Sequence, residues 1–346
     1  MAELRDLIVT TGFRHAERDR TIVFGPGALD AAQDLLPPEF TLLTTDRAAG
    51  SQPAIVRRAA AVVEVPSGAV DALAADLRDR VGGRALVALG GGRVIDTAKA
   101  IAAAEGIAVV IAIPTSLSGA EMTGVHRHAC GVPDHIARMR ATVVINDPAL
   151  TASLPSAQLA AGTANAAGHA LTALLSIRST PIAQAVGRAA IQRFGQAWAE
   201  PQPDKCGLAL GALLAGWSVD VSGLGPHHAL VQTAVRAVSI GHAHVNAVLL
   251  PHTIRAFRDR AAEQLASIDA DLGTPLEEFA ESLRTRAAAT GLGDLVDHAD
   301  TLKRTSEAAA ARPEMQLIPP PIDADEAMSI YRAAAAVLPS EHEQEG

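Results

Sequence analysis

The sequence has few cysteines, few aromatic residues and no excess of positive charge. Cys130 and Cys206 are too few for a disulfide framework and do not stand at a metal-binding spacing, which indicates a reducing compartment and predicts a cytoplasmic protein. Six Phe, two Trp and one Tyr argue against an aromatic platform for stacking bases or sugars. With 29 Lys and Arg against 38 Asp and Glu, the net charge is −9, so we expect no nucleic-acid partner.

Long hydrophobic runs are also absent. No stretch of 18 consecutive apolar residues occurs, and no apolar run of signal-peptide length stands near the start. The slightly positive mean hydropathy comes from alanine, so we predict no membrane partner. A chain of 346 residues has room for about two domains, whose cores must be built from Ala, Leu, Val and Ile.

Short β-branched runs alternate with helical stretches over the first 150 residues. The runs are continuously apolar, as expected of parallel strands that are buried on both faces. The segments between them, such as Val70–Val81 and Val94–Ala104, repeat apolar residues at helical spacing. This rhythm predicts an α/β domain over residues 1–150, a parallel sheet with helices on both faces. The predicted strands are Thr41–Thr45, Val62–Val65, Ala85–Leu89, Ala108–Ile113 and Thr142–Ile145.

The pattern changes near residue 150, after which Ala, Leu and His dominate long helical stretches. No strand-like run follows, so we predict an all-helical domain over residues 151–346. Pro155, Pro226 and Pro251 are predicted to mark helix ends. The last predicted helix is Asp323–Val337, after an extended break at Pro319–Pro321.

Three consecutive glycines, Gly90, Gly91 and Gly92, separate a predicted buried strand from a helix. Glycines here let the backbone approach a bound pyrophosphate, and the free N–H groups of the helix start stabilise its charge. An ordinary strand-to-helix turn is the alternative, because neither GxGxxG nor the phosphate-loop pattern is present. Asp46 closes another predicted strand, where a carboxylate can bind a ribose and repel a 2′-phosphate. Alone, such an Asp is more often a helix cap.

Polar residues of two further segments are candidates for a site. The hydroxyl-rich segment Ile113–Thr123 follows a predicted strand, at the edge where α/β sheets bind cofactors. In the helical half, Asn165 and His169 are four residues apart and share a helix face, and His228 and His242 follow. A single His on an apolar helix is more often a core residue, whereas several that converge can ligate a metal, polarise a carbonyl or relay protons. Spacing alone leaves both alternatives open.

The chain resembles the iron-containing alcohol dehydrogenase superfamily in four segments: GGGRVIDTAKAIA, IPTSLSGAEMT, VVINDPALTASLP and GHAHVNAVLLPHTIRAF. The resemblance begins near TIVFGPGAL, at Thr21–Leu29, and extends over most of the chain. The short loop SLSGAEMT, and Asn rather than Asp at position 165, are similar to maleylacetate reductases. The resemblance implies an N-terminal α/β dinucleotide-binding domain and an all-α C-terminal domain, an architecture that dehydroquinate synthase shares.

The same resemblance implies NAD(H) as the cofactor and assigns roles to particular residues. The family's metal ligands, one Asp and three His, map onto Asn165, His169, His228 and His242. Because Asn165 adds no charge, we expect weak metal affinity. The resemblance to maleylacetate reductases, which tolerate the same change, implies metal-independent hydride transfer. Gln232 stands where the family commonly has a further His, and it cannot relay a proton at neutral pH. The cofactor-binding residues that the resemblance implies are Asp46, Gly90, Gly91, Gly92, Arg93, Asp96, Thr115, Ser116 and Leu117.

The leading hypothesis is an NAD(H)-dependent reductase of a carbonyl or an enone-like oxoacid. His169, His228 and His242 would polarise the developing oxyanion, and one of them would deliver the proton. The alternative is a non-reductive enzyme, of cyclase or lyase type, on the same fold with residual nucleotide binding. A third hypothesis is a non-catalytic NAD-binding or scaffolding protein. His126 and His128 indicate an unusual substrate, and family analogy predicts a homodimer acting on a small molecule.

Overall fold

The computed structural model describes residues 12–238 and 241–335, which form two compact units. The first unit extends to Leu154 and includes Asp204–Asp220, and the second comprises Pro155–Pro203 and resumes at Val221. The first unit holds a β-sheet and the second is helical, so the predicted fold class is confirmed. The helix that begins at Lys205 belongs largely to the sheet unit, although its place in the sequence favours the helical one.

A single sheet organises the first unit. Its strands in the described part of the chain are β1 (Phe13–Glu17), β2 (Arg20–Phe24), β3 (Phe40–Thr44), β4 (Ala61–Glu64), β5 (Ala85–Gly90), β6 (Val110–Pro114) and β7 (Val143–Asn146). They lie in the order β1-β2-β7-β6-β5-β3-β4, and only β1 and β2 pair antiparallel. The five predicted strands are all present. The β1–β2 hairpin was not predicted, because β1 is largely exposed and lacks an apolar run.

Helices connect the strands and form the second unit. Those before residue 155 are α1 (Ala28–Ala31), α2 (Asp46–Ser51), α3 (Pro53–Arg58), α4 (Val70–Leu77), α5 (Gly92–Glu105) and α6 (Pro148–Thr151). Those that follow are α7 (Ser156–Leu175), α8 (Pro181–Ala197), α9 (Lys205–Ser222), α10 (Pro226–Ala237), α11 (His242–Arg258), α12 (Ala262–Leu272), α13 (Leu276–Arg286), α14 (Gly293–Val296), α15 (Ala299–Ala310) and α16 (Ala324–Ala335). No single described helix is long and apolar enough to cross a membrane, and only α9 and α10 counted together meet that test.

The central strands of the sheet, β7, β6, β5 and β3, are largely buried on both faces, as their continuous apolar sequences require. On one face, Leu42 and Val87 belong to a core cluster that includes Ile55 of α3. Ala88 and Ala112 occupy alternate positions and are fully buried toward the opposite face. Helices α4 and α5 pack against each other, and α5 also packs on β5 and β6. Helical layers on both faces leave the strand ends as the places where a ligand can meet the sheet.

The second unit is built from helices packed on one another. Its central helix, α7, packs against α8, α11 and α13, and α10 packs against α11. Pro251 lies inside α11, so the predicted helix end at this residue is wrong. The helix continues because Val248, Leu249 and Leu250 are buried, and their packing offsets the hydrogen bond that proline cannot donate. The last helix, α16, begins one residue after the predicted start, and its predicted end at Val337 lies outside the described residues.

Candidate functional site

Three neighbouring strands of the first unit end beside one another. β3, β5 and β6 are adjacent in the sheet, and Gly90 pairs with Pro114 where β5 and β6 end. Asp46 follows β3 as the exposed first residue of α2, which Thr45 caps. β4 lies beyond β3 on one side and β6 lies beyond β5 on the other, so the strand order reverses between β3 and β5. Open α/β sheets bind ligands at such switch points.

The glycine turn at this point leaves no space for side chains. A Cβ added to Gly91 would lie 3.1 Å from the Ser116 hydroxyl oxygen, and one added to Gly92 would lie 3.0 Å from that of Ser118. At Gly90 an added Cβ would lie 2.7 Å from a Val94 methyl carbon. The first turn of α5 has no side-chain cap and no acidic residue. Its N–H groups can therefore bind an anion, and a pyrophosphate fits this position.

The remaining residues of the implied cofactor set have different surroundings. Arg93 is exposed on the first turn of α5, where its charge is available to a phosphate. Thr115 is buried, and its backbone N–H donates to the last carbonyl of β5 over 3.0 Å, while Leu117 is buried in the loop. Asp96 forms an ion pair with Lys99, with 2.7 Å between Oδ1 and Nζ. Asp96 therefore positions a buried lysine.

Lys99 of helix α5 holds the loop after β6 in place through hydrogen bonds. Its ammonium group is fully buried and donates to the carbonyl oxygens of Ala120 and Thr123 over 2.8 and 2.9 Å. A third carbonyl, that of Val125, is 3.4 Å away. Three carbonyls and the Asp96 carboxylate offset the cost of burying this charge. The Lys of the GGGRVIDTAK segment thus fixes the loop that follows Ser116 and Ser118.

Glu121 is a buried carboxyl group that sequence reasoning did not single out. It is 1% exposed, and its Oε1 accepts from the Asn146 side-chain amide over 3.4 Å. Its Oε2 has no hydrogen-bond partner among the described residues. Burial raises the pKa of Glu121 to about 7, although the nearby charges of Lys99 and Arg20 act in the opposite direction. The available signal was a single acidic residue inside a loop of otherwise uncharged, mostly small residues.

In the second unit, the structure brings together three of the predicted catalytic residues. Asn165 and His169 lie on one face of α7, and the Asn165 amide nitrogen is 3.2 Å from His169 Nε2. The Asn165 Oδ1 is 3.3 Å from Nε2 of His228 on α10. The two imidazole rings stack with their centroids 4.1 Å apart and their planes 13° from parallel. We call Asn165, His169 and His228 the imidazole cluster.

The orientation of the Asn165 amide sets the tautomers of both imidazoles. Its oxygen can only accept, so His228 carries a proton on Nε2 and donates it. Its nitrogen donates, so His169 Nε2 accepts. Burial lowers the pKa of His228 well below its ordinary value, and the charges of His169, His227, His242 and Arg312 act in the same direction. His228 is therefore neutral at ordinary pH and holds an N–H donor in a buried position.

His227 supports the imidazole cluster and was missed by the sequence reasoning. It is buried, its ring meets that of His228 edge to face at 5.3 Å, and burial lowers its pKa to about 4. His227 Nε2 is 3.1 Å from the Asn246 side-chain oxygen, and Nδ1 is 3.1 Å from the Thr253 hydroxyl. A Cβ added to Gly168 would lie 2.4 Å from the His227 ring. Because Gly168 has no side chain, the rings of His227 and His228 can both lie against α7 at this position.

Two other predicted catalytic residues lie beside the cluster but bond elsewhere. His242 is exposed as the first residue of α11, and its backbone carbonyl accepts from the Asn246 amide over 2.9 Å. Gln232 lies one turn beyond His228 on α10, and its Oε1 accepts from Arg312 over 2.9 Å. Gln232 therefore connects the face of α10 that carries His228 to an arginine.

Further histidines of the chain make contacts outside the cluster. His244 Nε2 is 2.7 Å from the Thr290 carbonyl oxygen, and His252 Nε2 is 3.3 Å from the Arg284 guanidinium. His126 is buried, and its Nε2 accepts from the Met139 N–H over 3.1 Å. Its Nδ1 contacts the carbonyl of the next residue at 2.9 Å, so both ring nitrogens stabilise its own loop. These contacts give His126 a structural role.

The donor set that the resemblance assigns to a metal does not fit a divalent cation in this arrangement. Asn165 supplies no negative charge, and the Nε2 atoms of His169 and His228 are both engaged with its amide. Among residues 12–238 and 241–335, no group of three His, Cys, Asp or Glu side chains is arranged to hold a metal ion. Iron and zinc sites of this type need deprotonated ligands that converge on one point.

Comparison with known proteins agrees with this organisation. A model of the iron-containing alcohol dehydrogenase matches residues 44–124, and one of the Fe-containing alcohol dehydrogenase family, C-terminal, matches residues 159–328. A maleylacetate reductase from Rhizobium sp. (strain MTP-10005) is 33% identical over 72% of this chain and 73% of its own length. Another, from Burkholderia cepacia, is 30% identical over 63% of this chain, and the match spans only 61% of that relative.

Solved structures show the same fold. Maleylacetate reductase from Agrobacterium tumefaciens matches with a TM-score of 0.77 and 28% identity, over 94% of this chain and 98% of that one. Sulfoacetaldehyde reductase from Bifidobacterium kashiwanohense, whose structure contains NAD+, matches with a TM-score of 0.76 and 21% identity, over 94% and 99%. The chain belongs to the iron-containing alcohol dehydrogenase family. Within that family it is maleylacetate reductase-like, and it is an enzyme of the oxidoreductase class.

Proposed function

We propose that this protein is an NADH-dependent reductase of an oxoacid, of the maleylacetate type, that works without a metal ion. The observation that carries the proposal is the imidazole cluster, in which Asn165 joins His169 and His228 in a buried arrangement and burial holds the pKa of His228 well below its ordinary value. A neutral N–H donor held away from water suits an oxygen that gains negative charge during reduction. Maleylacetate reductase relatives support the substrate class.

In this proposal, residues at the strand ends of the first unit bind the cofactor, and the imidazole cluster stabilises charge on the substrate. The N–H groups at the start of α5 bind the pyrophosphate, and Asp46 binds the adenosine ribose. Reduced nicotinamide supplies a hydride when it is bound. In the structure the Nε2–H of His228 donates to Asn165 Oδ1, which selects that tautomer before substrate binds. As charge develops on the carbonyl oxygen, this N–H would turn from Asn165 to the substrate and donate to that oxygen. His169 lies parallel to His228 and restricts its rotation.

Chelation tests the metal-free part of the proposal. We expect the protein to keep its fold and most of its activity after prolonged treatment with a chelator, because its donor set lacks a carboxylate. The measurements are circular dichroism, turnover and elemental analysis before and after treatment. Stoichiometric iron or zinc in protein purified without added metal, together with loss of turnover on chelation, would contradict the proposal.

Asp46 is expected to determine the choice between NADH and NADPH. Its carboxylate, placed beside the ribose, would repel a 2′-phosphate, and we expect NADH to bind roughly 100-fold more tightly than NADPH. The variant Asp46→Asn should lose most of this preference, whereas Glu39→Gln, at an exposed carboxylate before β3, should retain it. Calorimetric titration with both nucleotides measures the ratio. Equal affinities in the unmodified protein would exclude this role of Asp46.

The reaction itself is tested by following NADH with a panel of carbonyl compounds. The proposal predicts consumption of one NADH for each oxoacid reduced, with maleylacetate preferred to simple aldehydes. Formation of product without net loss of NADH would instead support a cyclase or lyase on the same fold. Tight NADH binding with no product from any compound would support a non-catalytic role.

A further inference from the structure

A second feature of the helical unit is a cavity of about 600 Å³ that does not include the imidazole cluster. It is formed by α10, α15 and the 3₁₀ turn Pro313–Leu317. Its charged lining residues are Arg236, Arg304, Arg312 and Glu314. Its volume is typical of a small-molecule site. Three guanidinium groups against one carboxylate make the cavity attractive to an anion, and more so to a dianion.

Arg312 is held in a fixed orientation at this cavity. Its Nη2 donates to Glu314 Oε1 over 2.6 Å and to Gln232 Oε1 over 2.9 Å, and its Nε donates to Glu314 Oε2 over 3.3 Å. Its Nη1 has no protein acceptor within the part of the chain that the structure describes, so this edge of the guanidinium can bind a ligand. Because the side chain is already positioned, little rotational freedom remains to be lost on binding.

The cavity and the imidazole cluster share helix α10, which contributes Arg236 to the one and His228 to the other. His228, Gln232 and Arg236 are spaced by four residues, so they follow one another on that face. Four residues correspond to about 6 Å along a helix axis. Arg312, which bonds to Gln232, therefore lies about one helical turn beyond His228. A chain of a few carbon atoms spans that distance, so a carbonyl at His228 and a carboxylate at Arg312 can belong to one molecule.

We propose that Arg312 binds a carboxylate of the substrate and that, with the added charge of Arg304, this cavity selects oxo-dicarboxylic acids over monocarboxylic and neutral carbonyl compounds. Guanidinium and carboxylate form paired, charge-assisted hydrogen bonds, which gives geometric selection as well as attraction. The selection for a reduced substrate depends on the proposed function, whereas dicarboxylate binding in the cavity does not. Gln232 acts here as a positioning residue for Arg312.

Steady-state kinetics test the selection. Arg312→Gln and Arg304→Gln should raise KM for maleylacetate roughly 10- to 100-fold, with a smaller effect on kcat, and should leave KM for 2-butanone unchanged. Arg312→Lys keeps the charge without the planar pair of donors, so its KM for maleylacetate should lie between those of the unmodified protein and Arg312→Gln. Arg332→Gln, at an exposed arginine of α16 outside the cavity, is the matched control. Unchanged KM values for maleylacetate, or equal changes for both substrates, would overturn the proposal.

Binding of unreactive glutarate, measured by calorimetry, separates this proposal from the proposed function. Glutarate should bind the unmodified protein and Arg332→Gln, and should bind Arg312→Gln and Arg304→Gln at least 10-fold more weakly. Within the described residues, the hydrogen bond that Arg304 donates goes to the Asp300 carbonyl of its own helix. Arg304→Gln therefore tests the cavity even where Arg312→Gln folds poorly. Glutarate binding that depends on these arginines, without NADH consumption, would refute only the reductase. Turnover of maleylacetate with arginine-independent glutarate binding would refute only the cavity.

Discussion

Replacing His228 by alanine is expected to lower the turnover number about 100- to 1,000-fold while NADH affinity stays the same. The loss follows from removal of the buried Nε2–H that Asn165 orients, which is the donor proposed for the developing oxyanion. The NADH-binding residues lie in the other structural unit, at Asp46 and the glycine turn, so the nucleotide affinity should not follow the turnover number. His169→Ala should show a smaller loss in the same direction, because it removes the stacked ring that restricts His228.

Two controls keep this result interpretable. His298→Ala changes an exposed histidine before α15 and should keep normal turnover. Thermal unfolding of each variant reports whether loss of a buried ring also weakens the fold, and nucleotide titration reports whether the first unit is intact. Normal turnover in folded His228→Ala would show that the imidazole cluster is part of the core only.

The second large effect concerns stability against pH and depends on Glu121. Its pKa rises from an ordinary 4.5 to about 7 through burial. Between these two pH values the native state keeps a proton that the unfolded chain releases, so the free energy of unfolding falls as the pH rises. Below about 4.5 both states are protonated, and above about 7 both are ionised. Ionisation of Glu121 lowers the free energy of unfolding by about 3 kcal/mol in total, and the full decrease is reached above pH 7.

Glu121→Gln should remove this pH-dependent decrease in the free energy of unfolding, because the amide of the glutamine still accepts from Asn146 and does not ionise. We expect the stability of the variant relative to the unmodified protein to increase by about 3 kcal/mol between about pH 4.5 and about pH 8. Urea unfolding at both pH values measures the difference, and Glu39→Gln, at an exposed carboxylate, is the control. A difference between Glu121→Gln and the unmodified protein that stays constant with pH would show that the buried carboxyl does not titrate in this range.

The architecture was predictable because its signals are local. The strands β3, β5, β6 and β7 are largely buried on both faces, and β4 is a short, mostly apolar run near the sheet edge. The bounds of all five agree with prediction within two residues. The first strand, Phe13–Glu17, carries charged and polar residues on an edge, so it has no such signal. Pro251 looked like a helix end because the rule for proline is local, whereas the packing that continues α11 around it is tertiary.

The candidate site was only partly predictable, because its geometry depends on distant segments. Asn165 and His169 share a helix face by spacing, but the contact of His228 with Asn165 joins residues 63 positions apart. The chain position of Glu121 does not reveal its burial. Arg312 and Gln232 are 80 positions apart, and no local pattern predicts their hydrogen bond or the cavity beside it. His126 was interpreted as a sign of an unusual substrate, yet its ring nitrogens bond to its own loop.

The most direct measurement is isotope transfer from NADH that carries deuterium at both C4 positions of the nicotinamide to maleylacetate, with chelator-treated protein and mass analysis of the product. Direct reduction without a metal predicts one deuterium in each product molecule and one NADH consumed for it. The same experiment with His228→Ala should yield product of the same composition at a much lower rate. Product that contains no deuterium, or that appears only after a metal is restored, would contradict a metal-independent hydride transfer.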